Sequence, residues 1–254
     1  MRIAGFIPES YQDHPHGLSS VIFTSGCNFS CPACHARNWV FAQEEYSDEE
    51  VEKLLRRIER NKKFINKIVL CGGEPTLQSD LEDFCRYIKK KLGKDFSIKL
   101  DTNGYNPEVI ARLLQEELVN YVAMDVKAPP GLYNAVTGRE VDLARIEESM
   151  RVATRFPYYE FRTTIAPVLR NGNISYMTTE ETGEIAKWIS SCTGKLESRY
   201  FLQPFVARSK EEMMDERFSK ENLERLGIRS EAKKELLEKM LSQAAVYLVN
   251  TRVR

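Results

Sequence analysis

Six short runs rich in apolar and β-branched residues recur along this chain, each followed by a segment with helical periodicity. They are Ser20–Ser25, Lys67–Gly72, Ser97–Thr102, Tyr121–Val126, Glu160–Ala166 and Arg199–Phe205. A strand that rejoins its sheet in the same direction needs a long crossover, and a helix is the usual one. The rhythm therefore predicts an α/β fold, a partial (β/α)6 TIM-like barrel over residues 20–206, which suits a chain of 254 residues as one unit. Residues 1–19 read as an edge segment with a short strand in Met1–Ser10. Residues 207–254 read as a charged helical C-terminal extension whose last stretch, Ala245–Arg252, is predicted as one more short strand.

Chemistry at the boundaries supports the alternation. Ser47 with Glu50, Ser79 with Glu82, and Thr178 with Glu181 each read as a capping box, in which hydroxyl and carboxylate satisfy free backbone donors at a helix start. Asn106-Pro107 places a capping side chain before a proline at the first helical position.

Lys plus Arg balances Asp plus Glu at 37 each, which argues against a general affinity for nucleic acid or anionic membranes. The run Lys89-Lys90-Lys91 reads as a solvated helix end. The first residues lack a signal pattern and no apolar run is long enough to cross a bilayer, so a cytoplasmic location is expected.

Parallel strands present their C-terminal ends on one rim, where chemistry collects. Four loops meet there: the stretch after Ser25, the GGEP after the second strand, the DTNG of the third and the DVK of the fourth. The first holds Cys27, Cys31 and Cys34, half of the six cysteines. In a reducing compartment such crowding points to metal rather than disulfides, whereas Cys71, Cys85 and Cys192 are scattered and read as core. Structural zinc needs four ligands, commonly as two separated pairs. No second Cys-x-x-Cys exists, His35 directly follows Cys34, and His14 and His16 are the candidate fourth ligands. A 4Fe-4S cluster on three thiolates leaves one iron open to a small molecule.

Cys27-x-x-x-Cys31-x-x-Cys34 after a first strand, followed by Gly72-Gly73-Glu74-Pro75 after a second, resembles the radical S-adenosylmethionine (radical SAM) superfamily from about Ser20 to Gln203. The resemblance implies that the open iron is chelated by the amino and carboxylate groups of S-adenosylmethionine. One electron from the cluster then cleaves the sulfonium to methionine and a 5'-deoxyadenosyl radical. GGEP corresponds to the segment that meets the cofactor's amino group.

Cys34-His35, Lys99–Gly104, Tyr121–Pro129 and Glu160–Thr164 are similar to the glycyl-radical-enzyme activating branch, in particular to the activating proteins of anaerobic ribonucleoside-triphosphate reductase. That likeness implies cofactor contacts from Gly72, Gly73, Glu74, Pro75, Asp101, Asn103, Asp125, Lys127, Arg162 and Thr163, with a monovalent cation beside the aspartates in some members. Read from chemistry alone, Asp125 and Lys127 also fit a buried ion pair, and Arg162 fits pairing with Glu160 or Asp125. Ala33 stands where relatives often carry an aromatic against the adenine, which leaves Phe29, Trp39 or another apolar residue for that role; Gln203 is a weaker candidate contact. No acid or base residue is expected beyond cluster and cofactor. The implied partners are an anaerobic ribonucleotide reductase as glycyl-radical substrate and a reduced flavodoxin or ferredoxin-like electron donor. The competing readings are a radical enzyme acting on a small molecule or RNA, and a zinc-stabilised interaction protein.

Overall fold

All six predicted strands form within one or two residues of their expected bounds in the computed structural model, which describes residues 1–254. In chain order the strands are β1 (Ile3–Ser10), β2 (Ser19–Thr24), β3 (Lys67–Gly72), β4 (Ser97–Thr102), β5 (Tyr121–Asp125), β6 (Tyr158–Ile165), β7 (Pro167–Arg170), β8 (Asn173–Tyr176), β9 (Tyr200–Pro204) and β10 (Thr251–Val253). Eight of them form one sheet in the order β1-β2-β3-β4-β5-β6-β9-β10, and β7 with β8 makes a separate hairpin. Every pair from β2 to β10 is parallel, and β1 lies antiparallel on the outer edge of β2.

The crossover helices are α1 (Arg37–Val40), α2 (Asp48–Asn61), α3 (Leu81–Leu92), α4 (Pro107–Gln115), α5 (Tyr133–Thr137), α6 (Leu143–Ala153), α7 (Thr179–Thr193), α8 (Lys220–Arg225) and α9 (Lys234–Ala245). Ser47 and Thr178 form complete capping boxes. The box at Ser79 does not form: α3 starts at Asp80 without a side-chain cap, and the Asp80 carboxylate takes the Met1 amino group instead. Asn106 likewise spends its amide on Thr76, donating to Oγ1 at 3.0 Å, rather than on α4. Lys89 bends back to the carbonyl of Phe96 (2.7 Å), so the lysine run is only partly solvated.

Strand alternation divides the molecule into two layers of contact. Ile68, Leu70, Ile98, Leu100, Val122, Met124, Phe161 and Leu202 face the helices and join one core with Leu237, Met240, Ala244 and Leu248. The last stretch is therefore built into the barrel's core: α9 packs on α7 and β10 adds a seventh parallel strand. The predicted final strand is shorter than expected, Thr251–Val253, because α9 runs through Ala245. Residues 207–231 instead pack Ala207, Met213, Phe218 and Leu223 against Phe205 and Ala166, with Leu169, Ile174 and Tyr176 of the hairpin alongside.

Candidate active site

β2 delivers the chain into the cysteine loop at the barrel rim, and three neighbours hold that loop from different sides. From β3, Gly73 N–H donates to Thr24 O (2.9 Å) and Glu74 N–H to Gly26 O (2.8 Å). From α5, Thr137 O accepts Ser30 N–H at 2.9 Å, and the Arg139 guanidinium donates to Asn28 O. From the C-terminal stretch, Met214 N–H donates to Cys34 O (2.7 Å) and Asp215 N–H to Pro32 O (3.2 Å). Gly72 and Gly73 are glycines for a steric reason: a Cβ on Gly72 would collide with Thr24 backbone, and one on Gly73 would overlap the Gly26 carbonyl. What approaches these glycines is the neighbouring strand's own chain.

Cys27, Cys31 and Cys34 are free and partly exposed. Phe29 N–H donates to Cys27 Sγ and Ala36 N–H to Cys34 Sγ, both at 3.4 Å. Burial pushes the Cys27 thiol up to about 11 and the Cys31 thiol up to about 12. These two thiols are thus neutral in the free loop and give up their protons when metal binds.

Glu74 is buried and fully engaged. Its Oε1 accepts from Thr76 N–H (3.1 Å), Thr76 Oγ1 (2.6 Å) and Thr102 Oγ1 (2.7 Å), and its Oε2 accepts from Asn103 N–H (2.7 Å). The carboxylate therefore staples GGEP to DTNG, while Pro75 opens a tight turn, Pro75–Leu77. Only the backbone of this segment is left for a ligand.

Inside the barrel, Lys99, Asp101, Arg162, Asp125 and Lys127 form one array. Arg162 donates through Nη1 to Asp101 (2.8 Å) and through Nε to Asp125 (2.9 Å); Lys127 pairs with Asp125 at 2.7 Å and Lys99 with Asp101. Three cations face two carboxylates. Burial opposes ionisation of Asp125, but Arg162 and Lys127 outweigh it and hold its carboxyl at about 2. The monovalent cation implied for relatives meets carboxylates that side-chain cations already occupy. Lys99 was not singled out by sequence, although it shares a strand face with Asp101.

Several expected contacts fall elsewhere. Thr163 lies on the opposite strand face from Arg162, with its hydroxyl donating to Val126 O (2.6 Å) and accepting from Tyr200 (2.8 Å), so its side chain is spent outside the barrel. Arg162 does not pair with Glu160, whose partners are Arg254 and Tyr121. His14 and His16 pack on Tyr121, at the N-terminal end of β5 and thus the far end of the barrel from the cysteines. They cannot complete a zinc site on Cys27, Cys31 and Cys34. Phe29 is buried in the main core beside Tyr105. Trp39 stacks on Phe23 at 4.0 Å. Ala33 packs against the cluster of Phe205, Met213 and Phe218, so the C-terminal stretch fills the space next to this small residue. Gln203 pairs in register with Thr164.

The sequence profile of the radical SAM superfamily matches residues 21–181, which is the barrel from β2 into α7. The chain belongs to the radical SAM superfamily. Its cofactors are accordingly a 4Fe-4S cluster and S-adenosylmethionine. A Methanocaldococcus jannaschii protein named "Putative glycyl-radical enzyme activating enzyme MJ1227" is 34% identical over 224 residues, covering 86% of this chain and 84% of that protein. A "Probable GTP 3',8-cyclase" of Thermococcus kodakarensis is 28% identical over 176 residues, 66% of this chain and 55% of its own. Streptococcus suis SuiB bound to S-adenosylmethionine superposes with a TM-score of 0.58 at 14% identity, over 90% of this chain and 48% of SuiB. Escherichia coli HemN gives 0.52 at 14% identity, over 80% and 45%. The chain thus spans about half the length of these two solved proteins, and the likeness is one of fold. No helix is long and apolar enough to cross a membrane.

The residues at the rim fit the cluster. The three sulfurs do not close on a single ion, which a cube taking one thiolate per iron does not require. Two of the sulfurs already accept backbone N–H donors, and Lys127 is near enough to Cys31 and Cys34 to feel their charge once they ionise. That ammonium offsets negative charge as thiolates form.

Proposed function

We propose that this radical SAM enzyme installs a glycyl radical on a partner enzyme, an anaerobic ribonucleotide reductase, with electrons from a reduced flavodoxin or ferredoxin-like protein. The observation that supports the glycyl-radical part of this reading is similarity to the Methanocaldococcus jannaschii relative over 86% of this chain and 84% of that one; the choice of ribonucleotide reductase follows from the likeness of Lys99–Gly104, Tyr121–Pro129 and Glu160–Thr164. The Thermococcus kodakarensis cyclase matches over 66% of this chain and 55% of its own length. When bound, the cluster and S-adenosylmethionine supply one-electron cleavage of the sulfonium and a carbon radical able to take hydrogen from a glycine Cα.

Cys27, Cys31 and Cys34 hold the cluster in this reading. Arg162, with Nε and Nη1 committed to the aspartates, keeps Nη2 for the cofactor carboxylate, and Lys127, paired with Asp125, is the member of the array that feels the charge of Cys31 and Cys34. Asp101 and Asp125 orient the two cations rather than meeting the ligand themselves. Glu74 acts through the backbone it fixes. The excess of one positive charge in the array favours an anionic group there. Residues 207–218 pack on the β7–β8 hairpin and hold the cysteine loop through the Met214 and Asp215 N–H groups.

The test incubates reduced, anaerobically reconstituted protein with S-adenosylmethionine and candidate glycyl-radical enzymes, then reads EPR. A protein-based doublet on the partner is expected. Cleavage to 5'-deoxyadenosine with no radical on any partner would shift the reading to a small-molecule or RNA substrate.

A further inference from the structure

We infer that Asn103, oriented by Tyr105 and Asn28, is a positioning residue that donates a side-chain N–H to the sulfur of Cys27 and raises the reduction potential of the cluster. The inference rests on the reading that Cys27, Cys31 and Cys34 hold that cluster.

Asn103 is 5% exposed. Its backbone N–H is committed to Glu74, and its Oδ1 accepts Tyr105 N–H at 3.0 Å. That acceptor role fixes which way the amide points, so Nδ2 faces the cysteine loop. There it donates to Asn28 Oδ1 at 2.7 Å and lies 3.9 Å from Cys27 Sγ. An amide nitrogen carries two hydrogens. One is satisfied by Asn28 and the other has the Cys27 sulfur as its neighbour. In the thiol state Cys27 Sγ itself lies 3.9 Å from Asn28 Oδ1, in position to donate to it. The second hydrogen of Asn103 is the side-chain donor that faces this sulfur.

The same corner holds a second unused donor. Asn28 Nδ2 is buried and has no partner. A buried N–H left unpaired is unfavourable until an acceptor arrives. Two carboxamides beside one ligand sulfur, with donor capacity to spare, suit a group that becomes more negative there. A cluster gains one negative charge on reduction, and N–H donors to its sulfurs stabilise the reduced form more than the oxidised one. Asn103 is the side-chain donor within reach of a cluster cysteine; the other contacts, from Phe29 and Ala36, are backbone.

The experiment is an EPR-monitored redox titration of reconstituted protein without S-adenosylmethionine, comparing the unmodified chain with Asn103→Leu and Asn103→Asp. Both variants keep the backbone N–H that Glu74 needs. With iron content unchanged, Asn103→Leu is expected to lower the midpoint by a tenfold change in the reduction equilibrium, about 59 mV for one electron. Asn103→Asp should lower it further. An unshifted or raised midpoint in a variant holding a full cluster overturns the inference. If neither variant assembles a cluster, pulsed EPR of the unmodified protein labelled with 15N in asparagine side-chain amides decides: a 15N coupling on the reduced cluster is expected, and its absence overturns the inference. Unmodified protein that takes up zinc or no iron would instead overturn the ligand assignment beneath it.

Discussion

The two ends of the barrel carry similar charges and use them differently. At the floor, Glu160 is fully buried and accepts both arms of Arg254 at 2.7 and 2.8 Å and the Tyr121 hydroxyl at 2.6 Å. His14, His16 and Tyr158 then close over the Tyr121 ring. At the rim, Asp101 and Asp125 are also paired, but the array keeps one positive charge in excess and lies beside three free sulfurs. Buried charge alone therefore does not mark the site. The rim differs by what it leaves unmatched, in line with the division between stability at the lower end of such barrels and chemistry at the upper.

The largest expected effect comes from breaking the rim's backbone. Gly73→Ala forces the GGEP segment away from Gly26 and should lower cluster occupancy or S-adenosylmethionine cleavage by about 100-fold, with far-UV circular dichroism unchanged. Equal loss of helical signal would mean that the contact serves the fold as a whole. Next is the floor. Arg254→Ala strands the Glu160 carboxylate, and denaturant titration should show a loss of about 3–5 kcal/mol. Iron per folded molecule should stay constant, and a fall in it would erase the distinction between the two ends.

Met213→Ala opens the small core that docks residues 207–231 beside Ala33. A loss of about 2 kcal/mol is expected, at the low end for a buried methionine, with faster hydrogen exchange at the Met214 and Asp215 amides that hold the cysteine loop. Unchanged exchange there would detach the strap from the site. The smallest effect is on pH. The Asp125 carboxyl sits at about 2 in the folded chain, below its ordinary value near 3.9. Its contribution is complete above about pH 5 and fades as pH falls through 4 toward 2, by roughly 2 kcal/mol. Acid denaturation of Asp125→Asn should lack that component.

Periodicity and capping chemistry made the barrel readable, since each parallel strand is a compact apolar run and the Ser47 and Thr178 boxes mark their helices locally. The β7–β8 hairpin escaped because its strands are short and mixed in polarity. Its Asn171-Gly172 turn, with φ of 49° and 82°, is a hairpin signal that the sequence does carry. The outward direction of Thr163 follows from alternation once Arg162 faces inward. Other features depend on distant partners and are not local properties: Met1 displacing the cap at Asp80, Gly26 dictating Gly73, and Arg254 reaching Glu160. The motif residues gather at the rim. Which of their side chains are already engaged within the chain, as Glu74 and Thr163 are, required the fold.

The most direct test of the central claim is the composition and spectrum of the anaerobically reconstituted protein before and after S-adenosylmethionine is added. The account predicts about four irons and four sulfides, a reduced-state EPR signal that changes on addition, and coupling to a 15N label in the cofactor's amino group. It also predicts that Cys27→Ala abolishes the cluster while Cys71→Ala retains it. Bound zinc, or a cluster with a fourth side-chain ligand and a spectrum indifferent to the cofactor, would contradict it.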